Sequence, residues 1–207
     1  MRSFALAFAF AALPLAARAA AGPEIGFRSG FTLPLGNLDN EGGGTALSDL
    51  FNGFIPLTAD LGFRFTPNLY VGLTGTYAFG ITKCVAGASC SGHDVALGLD
   101  VRYHALPGEQ IDPWVGIGSG YEWLSETVAG PGSTADIGAK GFEFLHLQLG
   151  ADFSMTPNLK VGPFVQLGLA QYSSEDLTLN GTPQPSTLNN KAIHELLTFG
   201  LRVAFLP

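Results

Sequence analysis

Apolar and polar residues alternate with a period of two along most of the chain. From Glu143 to Met155, apolar side chains occupy every second position, and His146, Gln148 and Asp152 stand between them. The segment from His194 to Phe205 alternates in the same way. Since successive side chains of a β-strand point to opposite faces, this period predicts strands with one apolar face and one small or polar face.

Eight segments of this kind are predicted, and most are 10 to 14 residues long. They span residues 24–33, 54–65, 69–80, 93–105, 111–123, 142–155, 159–172 and 192–206. A tilted strand that crosses a membrane needs about 9–11 residues, whereas strands of globular proteins usually have about 5–6. The lengths therefore favour membrane-crossing strands.

Short and long connections alternate between the predicted strands. The short ones are rich in turn formers: Thr66-Pro67-Asn68, Pro107 to Gln110, and Thr156-Pro157-Asn158. The long ones are rich in Gly, Ser, Thr, Asn and acidic residues: 34–53, 81–92, 124–141 and 173–191. Short turns at one end and long loops at the other are typical of bacterial outer-membrane barrels. The motif TPN-Leu-x-Val-Gly, which occurs at 66–72 and again at 156–162, is interpreted as a periplasmic turn followed by the start of a strand.

Side-chain size indicates which face of the predicted barrel is in contact with lipid. One face carries Leu, Val, Phe and Ile at nearly every position, and the other carries small residues with a few charges. The charges are Arg28, Asp60, Arg64, Asp100, Arg102, Asp152 and Arg202. The interior of an eight-stranded barrel is only just wide enough for its side chains, so the small face is expected inside and the bulky face outside. The sequence thus predicts an all-β fold, an eight-stranded antiparallel up-and-down transmembrane β-barrel, over a soluble lipocalin-like barrel with the opposite arrangement.

The first residues have the features of a secretory signal peptide. Arg2 is followed by an apolar run from Phe4 to Leu15 and then by small residues around Ala19 to Gly22. The chain is therefore divided into a cleaved signal peptide, residues 1–22, and an outer-membrane β-barrel domain, residues 23–207. Without Arg2 and Arg18, 8 basic residues stand against 17 acidic ones, a net charge of −9. This balance argues against a nucleic-acid partner and against docking on an anionic membrane surface.

Together these features resemble the small outer-membrane barrel superfamily of the OmpA/OmpW type, over residues 23–207. The resemblance implies an integral protein of the bacterial outer membrane. Its surroundings would be outer-membrane lipids and lipopolysaccharide, and the barrel-assembly machinery would be its partner during biogenesis. The family often ends on an aromatic residue; here Phe205 is close to the end, and Pro207 departs from the pattern.

The seven predicted lumen charges have two interpretations. They form either a salt-bridged plug, since unpaired charges there would be costly, or a narrow path for ions or protons. Cys84 and Cys90, the two cysteines of the chain, indicate a disulfide in an exported protein, with a metal-binding pair or free thiols as alternatives.

The remaining chemical signals are weak. His104 and His146 are predicted to point inward, and His93 and His194 lie at strand ends without the spacing of a hydrolase or a metal site. The string Gly116 to Gly120 lies within an alternating strand, so it does not fit a nucleotide-binding loop. Outward aromatic residues suit interfacial girdles: Tyr77, Phe79, Tyr103, Tyr121 and Trp123.

The sequence therefore predicts a non-enzymatic role in envelope structure or surface interaction, with no cofactor and no metal. A narrow channel for small or apolar molecules is the alternative, and a lipid-modifying outer-membrane enzyme is the third choice. No extracellular partner is indicated by any motif.

Overall fold

The computed structural model describes residues 21–39, 45–84, 86–185 and 191–207. Within these ranges the chain forms nine β-strands and one short helix, α1 (Leu47–Leu50). The strands are β1 (Gly22–Gly36), β2 (Phe51–Arg64), β3 (Leu69–Thr82), β4 (Ser89–His104), β5 (Ile111–Gly130), β6 (Ser133–Ser154), β7 (Leu159–Leu179), β8 (Thr182–Gln184) and β9 (Ile193–Phe205). Apart from Ala21 and Gly22, the predicted signal peptide lies outside the described residues.

Eight of the strands form a closed antiparallel ring. Each strand from β1 to β7 pairs with its neighbours in sequence, β7 also pairs with β9, and β9 returns to β1. The three-residue strand β8 extends only the upper part of β7 and lies outside the ring. The predicted eight-stranded up-and-down barrel is therefore confirmed.

The alternation separates an apolar exterior from a polar interior. Leu61 and Leu201 point outward and are each 61% exposed, whereas Arg64 and Arg202, on the same strands, are fully buried. This is the reverse of a water-soluble barrel and suits a surface surrounded by hydrocarbon. No helix among the described residues is long and apolar enough to cross a membrane.

The repeated TPN motif makes the same turn twice. Thr66 Oγ1 accepts a hydrogen bond from the Leu69 amide (3.1 Å), and Asn68 Nδ2 donates to the His104 carbonyl (2.7 Å) of the next turn. In the second copy, Thr156 accepts from Leu159 (3.0 Å), and Asn158 donates to the Leu206 carbonyl (2.6 Å). In both copies Thr therefore closes the turn, and Asn ties it to the end of a neighbouring strand. This end of the barrel is called the turn end below.

The opposite end of the barrel is called the hairpin end below. The prediction of long loops there is wrong for much of their length, because strands continue through these segments. Residues 124–130 and 133–141 belong to β5 and β6, and only Pro131-Gly132 separates these strands. Similarly, 173–179 continues β7. The polar, glycine-rich composition suggested loops, but backbone ladder hydrogen bonds form without any particular side chain. As a result β5, β6 and β7 reach 20–22 residues and extend beyond the span that a membrane requires.

The predicted disulfide joins Cys84 to Cys90 at the tip of the β3–β4 hairpin. Its ring is short, so it restricts the unfolded chain only modestly and contributes about 2–3 kcal/mol at most.

A variant with both cysteines replaced by Ser is therefore expected to assemble into a barrel. Its folded fraction, read from the different migration of unboiled and boiled samples in SDS gels, should match that of the wild type. Non-reducing peptide mapping of the wild type should link the two cysteines. Free thiols in the exported protein, or failure of the double variant to assemble, would contradict this expectation.

Candidate functional site

Ten charged side chains fill the lumen near the turn end, and none is more than 5% exposed. They are called the ionic plug here: Glu24, Arg28, Asp60, Arg64, Asp100, Arg102, Asp112, Asp152, Lys160 and Arg202. All seven charged residues that the sequence placed in the lumen lie within this group. Alternation along β1, β2, β4, β5, β6, β7 and β9 points them inward.

One part of the plug joins two arginines to two aspartates. Arg28 donates to Asp60 (2.9 Å) and more weakly to Asp100 (3.3 Å). Arg102 donates to Asp100 (2.6 Å) and lies 2.9 Å from the second oxygen of Asp60. Each arginine therefore contacts both carboxylates, and the four side chains cross-link β1, β2 and β4.

A second part is built around Glu24 on β1. One of its carboxylate oxygens accepts from Arg64 Nε (2.5 Å), and the other accepts from Arg202. Arg202 also donates to Asp152, which in turn accepts from the Trp114 indole N–H (3.1 Å). Because β1 and β9 are the first and last strands of the ring, this part holds the two ends of the barrel together through side chains.

The third part lies nearest the turn end and is centred on Asp112. Its Oδ2 atom accepts from Lys160 Nζ (2.8 Å), lies 2.9 Å from His104 Nδ1, and is 3.8 Å from Arg64. His104 is thus part of the charge network, as its predicted inward position allows.

Aromatic rings and glycines fill the rest of this layer. The Arg102 guanidinium stacks over Tyr70 at 4.7 Å from the ring centroid, and Arg202 lies 5.3 Å from the Trp114 centroid. A Cβ on Gly150 would overlap the Trp114 ring, and one on Gly116 would crowd Arg102 at 3.1 Å. Gly116 of the 116–120 string therefore makes room for a lumen side chain.

The plug contains five cationic and five anionic side chains, and each contacts a partner of opposite sign. Burying a charge is tolerated when it is paired and hydrogen-bonded, and it is costly otherwise. The ten side chains therefore fill this part of the lumen with charges whose sum is zero.

Above the plug, towards the hairpin end, the lumen holds a cavity of about 70 Å³, called the upper cavity. Threonines form much of its wall: Thr32, Thr58, Thr74, Thr76 and Thr198. Leu47 of α1, Phe54, Leu124 and Tyr172 also line it and belong to one buried apolar cluster. The short helix thus places Leu47, which is 1% exposed, in the mouth of the barrel.

Three carboxylates also line the upper cavity: Asp94, Glu122 and Glu143. Glu143 is hydrogen-bonded to His146 Nδ1 (2.8 Å), and the other nitrogen of that ring contacts Asp100 of the plug. His194 Nε2 lies 2.6 Å from Glu122 Oε1, but the two groups are not aligned for a hydrogen bond. The His194 ring stacks on Tyr172 at 4.2 Å.

The histidines do not form a metal-binding group within the described ranges. His93 lies at the outer surface, where its ring stacks on Tyr77 at 5.4 Å. No group of three or more His, Cys, Asp and Glu residues there has the geometry to hold a metal ion.

Several of the lumen residues were not identified from the sequence. Glu24, Asp112 and Lys160 complete the ionic plug, and Asp94 and Glu122 form part of the upper cavity. All of them lie at the same alternate positions, on the inward face of their strands, as the predicted charges. This position in the alternation was the signal in the sequence that could have identified them.

The outer surface carries the aromatic residues expected at the edges of a membrane. Tyr77 and Trp123 are opposite Val95 in the register, towards the hairpin end, and Tyr103 lies near the turn end. All three are 38–54% exposed. The closed ring, the apolar exterior and the filled polar interior together define an integral β-barrel membrane protein.

Residues 3–193 match the family model described as the outer membrane protein beta-barrel domain. The chain belongs to this family and is a protein of the outer membrane.

Two solved structures show the same fold. Neisserial surface protein A aligns with a TM-score of 0.55 and 15% identity, over 88% of this chain and 96% of its own. The outer membrane protein OprG from Pseudomonas aeruginosa aligns with a TM-score of 0.54 and 15% identity, over 92% of this chain and 99% of its own. Comparison with curated proteins gives no match. At this identity the likeness concerns the fold alone.

Proposed function

We propose that this protein is a non-conducting, non-enzymatic barrel that anchors extracellular hairpins for envelope structure or surface interaction. Export by a cleaved signal peptide, residues 1–22, and assembly by the barrel-assembly machinery are parts of the same proposal. The turn end then faces the periplasm and the hairpin end faces the outside, as in outer-membrane barrels generally.

The observation that carries the proposal is the ionic plug. Every charged member is buried, and opposite charges are in contact from β1 across the lumen to β6. An ion that entered this layer would have to break charge-assisted hydrogen bonds, which are about twice as strong as neutral ones. The plug therefore favours a mechanical role over ion conduction.

The hairpins supply the surface for interaction. The β5–β6 and β7–β8 hairpins extend past the outward aromatic residues and carry Asp136, Glu175 and Asp176. Backbone pairing and side-chain hydrogen bonds such as the one from Thr127 Oγ1 to Asp136 (2.7 Å) shape them. They form an acidic surface on a rigid support, which suits contact with cationic or hydrogen-bonding partners.

Reconstitution into planar bilayers tests the proposal. We expect the wild-type protein to give no stepwise ion current, because an ion would have to break the buried ion pairs of the plug. The matched variant removes one cation and one anion, Arg28→Ala with Asp60→Ala, and should give current if the plug is the barrier. Regular conductance steps from the wild type would contradict the proposal.

A narrow passage for small or apolar molecules is the second candidate, and the upper cavity is the observation that favours it. Uptake of an apolar tracer into liposomes that contain the protein distinguishes it from the first. A lipid-modifying activity is the third candidate, and the lipid A of a deletion strain should then differ from that of its parent.

A further inference from the structure

Asp94 and Glu122 of the upper cavity lack the Arg and Lys partners that the ionic plug provides to its own carboxylates. Within the described part of the chain, no Arg or Lys forms an ion pair with Asp94, Glu122 or Glu143. Of the nearby histidines, His146 pairs with Glu143 and Asp100, and His194 lies beside Glu122 without forming a hydrogen bond to it. Within the described residues, Asp94 and Glu122 therefore have no Arg or Lys partner, next to a plug in which every charged side chain is paired.

Two of these carboxylates have an oxygen atom with no hydrogen-bond partner. Asp94 is 7% exposed and Glu122 is 2% exposed, and both line the upper cavity. Asp94 Oδ1 and Glu122 Oε1 accept no hydrogen bond. Buried polar groups are almost always satisfied, and a buried anion without a partner is especially costly. Such oxygens facing a cavity are suited to a positively charged donor.

The walls of the upper cavity also restrict the kind of ligand that fits. Beside the carboxylates stand the rings of Phe54, Phe164 and Tyr172 and the side chain of Leu124. Aromatic faces attract cations, and apolar walls favour a ligand that carries carbon. The volume, about 70 Å³, is roughly half that of a cavity that accepts benzene, so it has room for only a few heavy atoms.

We infer that the upper cavity binds a small organic cation, an ammonium group on an apolar body of about three carbon atoms. The ammonium group donates to Asp94 Oδ1 and Glu122 Oε1, and the carbon atoms lie against Phe54, Leu124 and Tyr172. Because the plug closes the lumen below, the ligand enters and leaves past Leu47 at the hairpin end. The site does not depend on whether the hairpins bind a partner.

Thermal unfolding of the purified barrel in detergent tests the inference, with n-propylammonium chloride as the probe. The unfolding midpoint should rise with probe concentration and saturate, because a ligand that binds only the folded state stabilises it by mass action. For so few atoms, half-saturation is expected at roughly 0.1–10 mM. Sodium chloride at equal ionic strength and neutral 1-propanol at equal concentration should give no saturable rise.

Two variants distinguish the cavity from surface charge. Asp94→Asn with Glu122→Gln should abolish the rise, and Ala96→Leu, which fills the cavity but keeps both carboxylates, should abolish it as well. The matched control is Glu175→Gln with Asp176→Asn on the protruding part of β7, which should retain the full rise.

Three results would overturn the inference. They are no rise for the wild type, an equal rise with 1-propanol or sodium chloride, and an undiminished rise in the Asp94→Asn/Glu122→Gln variant. Since the first two need only the wild-type protein, the test does not depend on how well any variant folds. Conductance plays no part in this readout, so its outcome is independent of the bilayer experiment.

Discussion

Replacing Arg202 with Met should lower the free energy of unfolding by about 3–5 kcal/mol, because the change leaves buried carboxylates without their partner. Arg202 contacts both Glu24 and Asp152 and is fully buried. Glu24 keeps Arg64, but among the described side chains Asp152 then retains the Trp114 indole as its one hydrogen-bond donor. Urea titration in phospholipid vesicles, followed by tryptophan fluorescence, measures the loss.

A second substitution and a surface control make this result specific. Adding Asp152→Asn to the Arg202 variant should recover part of the stability, since the stranded charge is then removed. Lys140→Met is the control, because its partner Asp176 is 76% exposed at the side chain and surface ion pairs contribute about 0–1 kcal/mol. If Arg202→Met leaves stability unchanged but gives ion current in bilayers, the lumen is a wet channel and the plug is the wrong description.

Replacing Gly200 with Ala should impair barrel closure. Gly200 faces Gly30 across the seam between β9 and β1. A Cβ at this position would overlap the backbone carbonyl oxygen of Ser29. Backbone atoms at the seam can move away only by separating the strands, so the cost should reach about 1–3 kcal/mol or more. The folded fraction after refolding into detergent, read from unboiled SDS gels, should fall clearly.

Gly75→Ala provides the matched comparison on another strand. The nearest atom to a Cβ there would be Leu97 Cδ2 at 3.4 Å, an ordinary contact with a side chain. This variant should refold like the wild type. Equal refolding of the two variants would show that the close approach at the β1–β9 seam does not limit assembly.

The sequence predicted the barrel and its faces because local alternation determines them. The period of two between Glu143 and Met155 was sufficient to place His146, Gln148 and Asp152 inside. It also indicated which charges would meet in the lumen, since an eight-stranded barrel has little interior space.

The remaining features depend on contacts between distant parts of the chain. Glu24 and Arg202 are 178 residues apart, so nothing near either one in sequence indicates the pair. The gathering of Asp94, Glu122 and Glu143 follows from the register of β4, β5 and β6, which hydrophobic pattern alone does not specify. The extended β5–β6 hairpin was missed for a related reason, because its pairing uses backbone groups that every sequence has.

The equal numbers of positive and negative groups in the ionic plug also determine how the plug responds to voltage. Moving one elementary charge across a membrane potential of 100 mV changes its energy by about 2.3 kcal/mol. The five cations and five anions of the plug are held in contact, so their opposite contributions cancel when the layer moves as a unit. The plug thus carries no net gating charge, and a potential across the outer membrane exerts no net force that would displace it.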